Sequence, residues 1–138
     1  MNYWLLKTEP STYAWNDLVK DRSTCWSGIR NFLARNNLRE MKKGEQAFLY
    51  HSVHGKKIIG IVEVIREAYP DPTIVEGDWV AIDIKPIKEF KKYISLDLLK
   101  KEKGLEQMML LRQGRLSVCK LTQEEFEIIT NMSNRIDQ

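Results

Sequence analysis

The sequence predicts an α+β fold, in the form of a small, mainly antiparallel β-barrel or curved sheet with helices on its flanks. Its 138 residues suffice for one domain, and we expect a single domain over residues 1–138. The predicted elements run in the order β, α, α, several β and α. Few strands alternate with helices, which argues against a doubly wound parallel sheet.

The N-terminal third predicts a strand and then a helix. Residues 3–7 are aromatic and aliphatic and are followed by Pro10, which is typical of a strand that ends there. The helical spacing of Trp15 and Leu18 predicts a short helix over about 14–21. Its cap is not evident, because Ala14 stands where a Ser or Asp is expected.

Residues 31–43 predict a second helix with apolar residues on two sides. One stripe comprises Ala34, Leu38 and Met41, and the roughly opposite face carries Ile29, Phe32 and Leu33. Either this helix is covered on both sides, or Ile29 belongs to the loop before it.

The middle of the chain predicts strands. Residues 46–51 and 57–66 form a predicted hairpin around a turn at 52–55, and residues 69–72 form a rigid proline-rich loop. The alternation of Val80, Ile82 and Ile84 predicts a half-buried strand that Pro86 limits.

The C-terminal third predicts a helical turn over 96–103, broken by Gly104, and a short strand over 116–120. Thr122 and Glu125 then form a capping box, which predicts a final helix through about Met132. Leu121 and Phe126 are spaced as its hydrophobic staple.

Composition narrows the function classes only broadly. Residues 1–60 hold ten Lys and Arg against five acids, while the whole chain carries +3, so a polyanion partner is suggested weakly and bulk nucleic-acid affinity should be weak and salt-sensitive. No apolar run approaches the length of a membrane helix, and the N-terminus lacks the features of a signal peptide. Two cysteines make no disulfide framework, which indicates a cytoplasmic protein.

Several chemical motifs are missing or weak. The sequence contains no P-loop, dinucleotide-binding or nucleophile-elbow motif. His51 and His54 lack a third zinc ligand nearby, so we expect no metal and no cofactor. Cys25 lacks the local signature of a catalytic thiol, and an incidental cysteine is the better interpretation.

Four tryptophans are candidates for core or ligand contacts. Trp4 and Trp79 fall in predicted strands and Trp15 begins a helix, so we expect all three in the core. Trp26 lies in a polar segment without periodicity, next to Gly28. A loop tryptophan there suits stacking on a flat ligand, although a ring packed on the core fits the composition equally well.

Lys7, Thr8 and Glu9 end the first predicted strand. A buried Glu9 at the floor of a pocket would accept a hydrogen bond from an exocyclic amine, and Lys7 would neutralise it or contact a phosphate. By pattern alone, a solvated strand end is favoured.

Six ordered motifs together resemble the EVE domain family. They are YWLLKTEP at 3–10, CWSGIRN with ARN at 25–31 and 34–36, YHS at 50–52, EAYPD at 67–71, WVAID at 79–83, and RLSV with LT at 115–118 and 121–122. They extend from residue 3 to about 127 when the flanking positions are included.

The resemblance implies a PUA-like fold, a compact β-barrel flanked by helices, similar to YTH domains that bind methylated adenine in RNA. It also implies a reader of modified bases, including modified cytosine, in DNA or RNA. By the same resemblance, Trp26 is the stacking wall, Thr8 and Glu9 face the base edge, and Lys7 and Pro10 shape that wall. The remaining implied contacts are Arg30 and Asn31 to base or backbone, Ser52, Arg115 and Ser117 in the pocket, and Arg35 to phosphate.

The residues are compatible with three functions. The favoured one is a non-catalytic module that holds a modified base, and Trp26→Ala is predicted to abolish base binding and leave the fold intact. The second is a hydrolase of modified nucleosides, since Lys7, Thr8 and Glu9 supply an amine, a hydroxyl and a carboxylate. Consecutive strand residues face opposite sides, however, so Thr8 would turn away from the other two unless the strand bends. The third is a protein–protein module with an exposed apolar patch.

Overall fold

The computed structural model describes residues 1–135 and shows an α+β architecture. The strands are β1 (Tyr3–Thr8), β2 (Thr24–Trp26), β3 (Gln46–His51), β4 (Lys57–Pro70), β5 (Val80–Ser95) and β6 (Val118–Leu121). They form one six-stranded mixed sheet with the strand order β2-β5-β4-β3-β1-β6. The helices are α1 (Trp15–Asp21), α2 (Phe32–Glu40), α3 (Leu96–Lys101), α4 (Met109–Arg112) and α5 (Gln123–Ser133).

The sheet is open within the described residues, so the predicted α+β class is confirmed but a closed barrel is not formed. β1 and β3 are parallel, and every other neighbouring pair is antiparallel. β2 and β6 lie at the two ends of the strand order. The edge strand β2 carries Trp26, so this residue lies in a short strand and not in the flexible loop that its polar neighbours predicted.

The hairpin of β3 and β4 is confirmed, but both long strands exceed their predicted lengths. Tyr69 and Pro70 end β4 instead of forming a loop, and β5 continues past Pro86 to Ser95. Pro86 pairs opposite Val62, where the register of the two strands shifts. Proline has no backbone N–H to donate to the neighbouring strand, and a β-bulge can accommodate it. Pro86 therefore makes the strand irregular at this position but does not end it.

α2 is shorter than predicted and is buried on one side only. Ala34, Leu38 and Met41 are fully buried, whereas Phe32 is 66% exposed, and Ile29 lies in the preceding loop. The helix ends at Glu40, because the backbone of Met41 is extended, and residues 42–45 then form a turn in which Gly44 has a left-handed φ of 92°.

The interior is built around β1 and β3, and it fixes the positions of α1 and α5. Trp15 is 3% exposed and lies against β4 at Gly60, where a side chain would collide with the main-chain oxygen of Lys88 and with the Trp15 ring.

Ala14 contributes no side-chain cap to α1, but Asp17 accepts a hydrogen bond from the Ala14 N–H at 2.8 Å. The predicted Thr122–Glu125 capping box is confirmed at α5. No described helix is long and apolar enough to cross a membrane.

Candidate functional site

A cavity of about 410 Å³ opens at the carboxyl end of β1. Its lining combines aromatic rings, hydroxyl groups and charged side chains: Lys7, Thr8, Glu9, Thr12, Tyr13, Thr24, Cys25, Trp26, Ser27 and Ile29. The size and the mixture of rings with a few polar groups are typical of small-ligand sites. We call it the Trp26 cavity.

Two aromatic rings form perpendicular walls of the Trp26 cavity. The Trp26 and Tyr13 ring centroids lie 6.2 Å apart with an interplanar angle of 79°. Trp26 is only 8% exposed, because β2 packs it beside Ile82 of β5. The Tyr13 hydroxyl donates to the Asp21 carboxylate at 2.8 Å. Burial raises the pKa of Tyr13, a hydrogen bond with Thr24 opposes that shift, and Asp21 adds to it. Both rings are therefore held in place before any ligand arrives.

The chain bends immediately after β1, and the bend brings three consecutive residues to one cavity. The Glu9 carbonyl accepts hydrogen bonds from the Thr12 and Tyr13 N–H groups, both at 2.9 Å, which forms a turn. Lys7, Thr8 and Glu9 consequently all line the Trp26 cavity, although Glu9 is exposed at the rim and not buried at its floor.

The polar side chains at this bend have main-chain partners. The Thr8 hydroxyl donates to the Tyr13 carbonyl at 2.6 Å, and Lys7 Nζ donates to the Gly114 carbonyl at 2.7 Å. Partial burial lowers the pKa of Lys7, and the neighbouring Cys119 opposes that shift. Burial raises the pKa of Cys119 to about 11, so its thiol is protonated at neutral pH.

Asp71 anchors the loop that follows Trp26. Its side chain is fully buried, and its carboxylate accepts hydrogen bonds from the Gly28 N–H and the Arg30 guanidinium, both at 2.9 Å. Thr73 adds a main-chain N–H at 2.7 Å and its hydroxyl. These donors outweigh the cost of burial and hold the pKa of Asp71 well below its usual range. Gly28 itself has a left-handed φ of 82°.

The structure places the predicted site residues in three neighbouring regions. Lys7, Thr8, Glu9 and Trp26 share the Trp26 cavity. Ser52 lines a cavity of about 500 Å³ on the other side of Lys7, and Asn31 and Arg115 line one of about 320 Å³. Gly114 borders both of these, so the three regions meet around Lys7 and its carbonyl partner.

The remaining predicted residues have observed roles in the fold. Pro10 follows the cavity residues in the turn and is half-buried, outside the described lining. The Asn31 side chain caps α2 by accepting from the Ala34 N–H at 2.9 Å, and the Ser117 carbonyl accepts from the Lys7 N–H at 2.9 Å. The guanidinium of Arg35 lies on the outer face of α2, where it contacts Asn36.

Sequence reasoning missed most of the other lining residues, above all Tyr13. The turn after Pro10 returns the chain toward the end of β1, so a turn predicted there would have indicated that Tyr13 lies beside the end of this strand. Thr24 and Cys25 were obscured because β2 was interpreted as a loop.

Trp79 was predicted to lie in a strand and in the core, and that prediction is wrong. It precedes β5, is half-buried, and stacks on Phe32 with centroids 5.2 Å apart and an interplanar angle of 21°. Trp4 and Trp15 are in the core as predicted. The two histidines form no metal site with other described residues, and His51 Nε2 accepts a hydrogen bond from the Trp15 N–H at 3.1 Å.

This chain is similar to several known proteins in sequence and in structure. The family model described as "EVE domain" matches residues 2–132. The chain is 36% identical to thymocyte nuclear protein 1 of Rattus norvegicus over 165 residues, which covers 95% of this chain and 73% of the rat protein. It also resembles the crystal structure of the human THYN1 protein in complex with DNA containing 5-methylcytosine. That match has a TM-score of 0.91 and 33% identity, and it covers 99% of this chain and 100% of the other.

A more distant structural similarity concerns the fold alone. The YTH domain of Zygosaccharomyces rouxii MRB1, solved with N6-methyladenosine RNA, matches with a TM-score of 0.63 at 12% identity, covering 99% of this chain and 89% of that one. The motifs from residue 3 onward, the α+β architecture and the family match over residues 2–132 agree. This chain belongs to the EVE domain family.

Proposed function

We propose that this protein binds a modified nucleobase of DNA or RNA in the Trp26 cavity, and that the base is a modified cytosine. The observation that carries the proposal is the pair of perpendicular rings, Trp26 and Tyr13, at a cavity with hydrogen-bonding groups on its rim. The THYN1 complex with 5-methylcytosine DNA supports the choice of base, since that protein shares 33% of its residues with this chain.

The proposed binding mode uses a base taken out of its stack. The flat face of the base lies against Trp26, and stacking of this kind contributes about 1–3 kcal/mol per base. The Glu9 carboxylate at the rim accepts a hydrogen bond from the cytosine amino group, as acidic side chains do in nucleic-acid recognition. Main-chain groups near Thr8 contact the rest of the base edge. Thr24, Cys25 and Ile29 also line the cavity, and in the proposed complex they contact the methyl group.

In the proposed complex, the other predicted residues surround the base and its backbone. Lys7 and Pro10 shape the wall at the end of β1. Ser52, Arg115 and Ser117 complete the surface around it, Arg30 and Asn31 contact base or backbone, and Arg35 contacts phosphate. The positive half of the chain favours a polyanion, although the total of +3 limits affinity for bulk nucleic acid.

We also infer that the protein is not an enzyme. Lys7 and Thr8, two of the three groups that a hydrolase would use, each donate to a main-chain carbonyl. Two unpaired cysteines support the cytoplasmic setting inferred from the sequence, which stays a prediction.

The test is a fluorescence titration with nucleosides and short single-stranded oligonucleotides, in ribose and deoxyribose forms. The panel carries cytosine, 5-methylcytosine, 5-hydroxymethylcytosine, adenine and N6-methyladenine, and each mixture is checked for products. We expect saturable binding of one modified cytosine without turnover, lost in Trp26→Ala and weakened in Trp26→Phe. Thr122→Ala, a cap variant remote from the cavity lining, is the control. Equal affinity for modified and unmodified bases, or product formation, would contradict the proposal.

A further inference from the structure

An exposed ring stack begins just after the loop that follows Trp26, and its residues do not line the Trp26 cavity. Phe32, the first residue of α2, is 66% exposed and lies parallel to Trp79 at 5.2 Å. We call this pair the Phe32 stack. Exposed aromatic surface that is rimmed by polar groups is typical of an interaction site.

Arginine side chains surround the Phe32 stack. The Arg35 guanidinium carbon lies 4.9 Å from the Phe32 centroid and 5.7 Å from that of Trp79. Arg30 lies 5.6 Å from the Trp79 centroid, and Arg39 donates to the Asp78 carbonyl at 3.0 Å, one residue away from Trp79. Flat rings flanked by guanidinium groups complement a polyanion that carries flat bases, and they are poorly suited to an uncharged apolar partner.

The Phe32 stack is within reach of a strand that occupies the Trp26 cavity. Ile29 lines the cavity and Phe32 follows three residues later, so their Cα atoms are at most about 11 Å apart. Successive phosphates of one strand lie about 3.4 Å apart along a helix axis, and further apart when the strand is extended. The buried Asp71 carboxylate binds both Gly28 and Arg30, so one anchor fixes the cavity wall and the approach to the stack.

We propose that Phe32, backed by Trp79, stacks on a nucleobase that neighbours the base held in the Trp26 cavity, with Arg35 beside the intervening phosphates. This inference rests on the proposed function and adds a second subsite to it. The exposed ring accepts any base, because every base has a flat face, so the subsite contributes affinity and the cavity contributes selectivity.

The test compares ligands of different length on matched variants. The ligands are the nucleoside 5-methyldeoxycytidine, a single-stranded DNA trinucleotide with central 5-methylcytosine, and the same trinucleotide with an abasic 5′ or 3′ flank. The variants are Phe32→Ala, Phe32→Tyr and the neighbouring exposed control Leu33→Ala, each checked for an unchanged melting temperature.

We expect Phe32→Ala to weaken trinucleotide binding by about 5- to 150-fold, the effect of losing one stacked base, while nucleoside affinity stays unchanged. Phe32→Tyr restores the affinity, and Leu33→Ala resembles the wild type. Removing one particular flanking base from the ligand weakens wild-type binding by a similar factor and has little further effect on Phe32→Ala.

Each contrary result has a distinct meaning. Equal trinucleotide affinity of Phe32→Ala and wild type would overturn the second subsite and leave the base cavity standing. Equal loss of nucleoside and trinucleotide binding in Phe32→Ala would also overturn it, since the ring would then act through the cavity. Wild-type protein that binds neither ligand would refute the proposed function itself.

Discussion

The Trp26 cavity and the Phe32 stack both present aromatic rings next to the loop of residues 27–31, but they are built in opposite ways. Trp26 is 8% exposed and meets Tyr13 edge-on at the cavity. Phe32 is 66% exposed and lies flat on Trp79 among arginines. A cavity with fixed walls and polar groups can reject ligands by shape and unpaired hydrogen bonds, whereas an exposed ring accepts any flat group.

The difference in exposure also determines whether removal of a ring affects stability, ligand binding or both. A buried ring contributes to both the core and the ligand wall, so its removal affects stability and binding together. An exposed ring affects mainly binding. Exposure alone therefore does not distinguish a core tryptophan such as Trp15 from a wall such as Trp26; the adjacent cavity does.

The largest expected effect is that of Trp26→Ala, which removes one wall of the Trp26 cavity. Because the ring is in the core cluster, its loss should lower the free energy of unfolding by about 3–5 kcal/mol as well as abolish base binding. Burial thus argues against the initial expectation that the fold is unaffected. Phe32→Ala should change stability by no more than about 0.5 kcal/mol. Urea unfolding of both variants checks the contrast, and similar losses in the two would contradict it.

Asp71→Ala should follow, since it removes the anchor that both regions share. It leaves the Gly28 N–H and the Arg30 guanidinium without their buried partner, and we expect a loss of about 3 kcal/mol in the free energy of unfolding. Asp71→Asn keeps an acceptor oxygen and should lose less. Chemical denaturation measures both, and an Asp71→Ala protein as stable as the wild type would show that the carboxylate and its contacts contribute little to stability.

Thr122→Ala tests a place outside both regions. The Thr122 hydroxyl accepts from the Glu125 N–H at 3.0 Å, and losing such a cap costs about 1 kcal/mol. Nucleic-acid affinity should remain that of the wild type. A fall in affinity with this small loss of stability would mean that binding depends on global stability. The loss of binding in Trp26→Ala would then not show that the ring contacts the base.

The smallest expected effect concerns pH and His51. Burial first, and Lys57 second, lower the pKa of His51 below 6.5, and its neutral Nε2 accepts from the Trp15 N–H at the start of α1. The unfolded state takes up the proton at higher pH than the folded state. The contribution of neutral His51 to the free energy of unfolding is therefore fully present above about pH 6.5. It is lost as the pH falls through the lowered pKa of His51 in the folded state.

Unfolding curves between pH 5 and pH 8 measure this dependence. His51→Gln keeps an acceptor without titrating, so it should flatten the profile, and His54→Gln, at an exposed turn residue, should leave it unchanged. An identical pH profile in wild type and His51→Gln would show that His51 does not contribute to the pH dependence of stability.

Local patterns predicted the regular parts of this fold. The end of β1, the hairpin of β3 and β4 and the cap at Thr122 all follow from residues close together in the chain. Pro86 misled because a bulge formed with Val62, distant in sequence, allows the proline inside a strand. The prediction of a single domain over 1–138 stays a prediction.

The site was less predictable, because its geometry comes from contacts between distant residues. Trp26 was selected by motif resemblance, while its strand position depends on pairing with Ile82. The anchoring of Gly28 by Asp71 joins residues 43 apart, and periodicity carries no information about such a contact. Trp79 was expected in the core because it adjoins alternating strand residues, yet its ring stacks on exposed Phe32.

The most direct test of the central claim is the NMR spectrum of the four tryptophan indole N–H groups during titration with a single-stranded oligonucleotide. One oligonucleotide carries a central 5-methylcytosine and its control carries cytosine. We expect the Trp26 signal to shift saturably and at lower concentration with the modified strand. Trp4, whose Nε1 donates to Glu45 at 2.9 Å in the core, should stay fixed. A Trp26 signal that does not move while the oligonucleotide binds would contradict the base-binding role of the cavity.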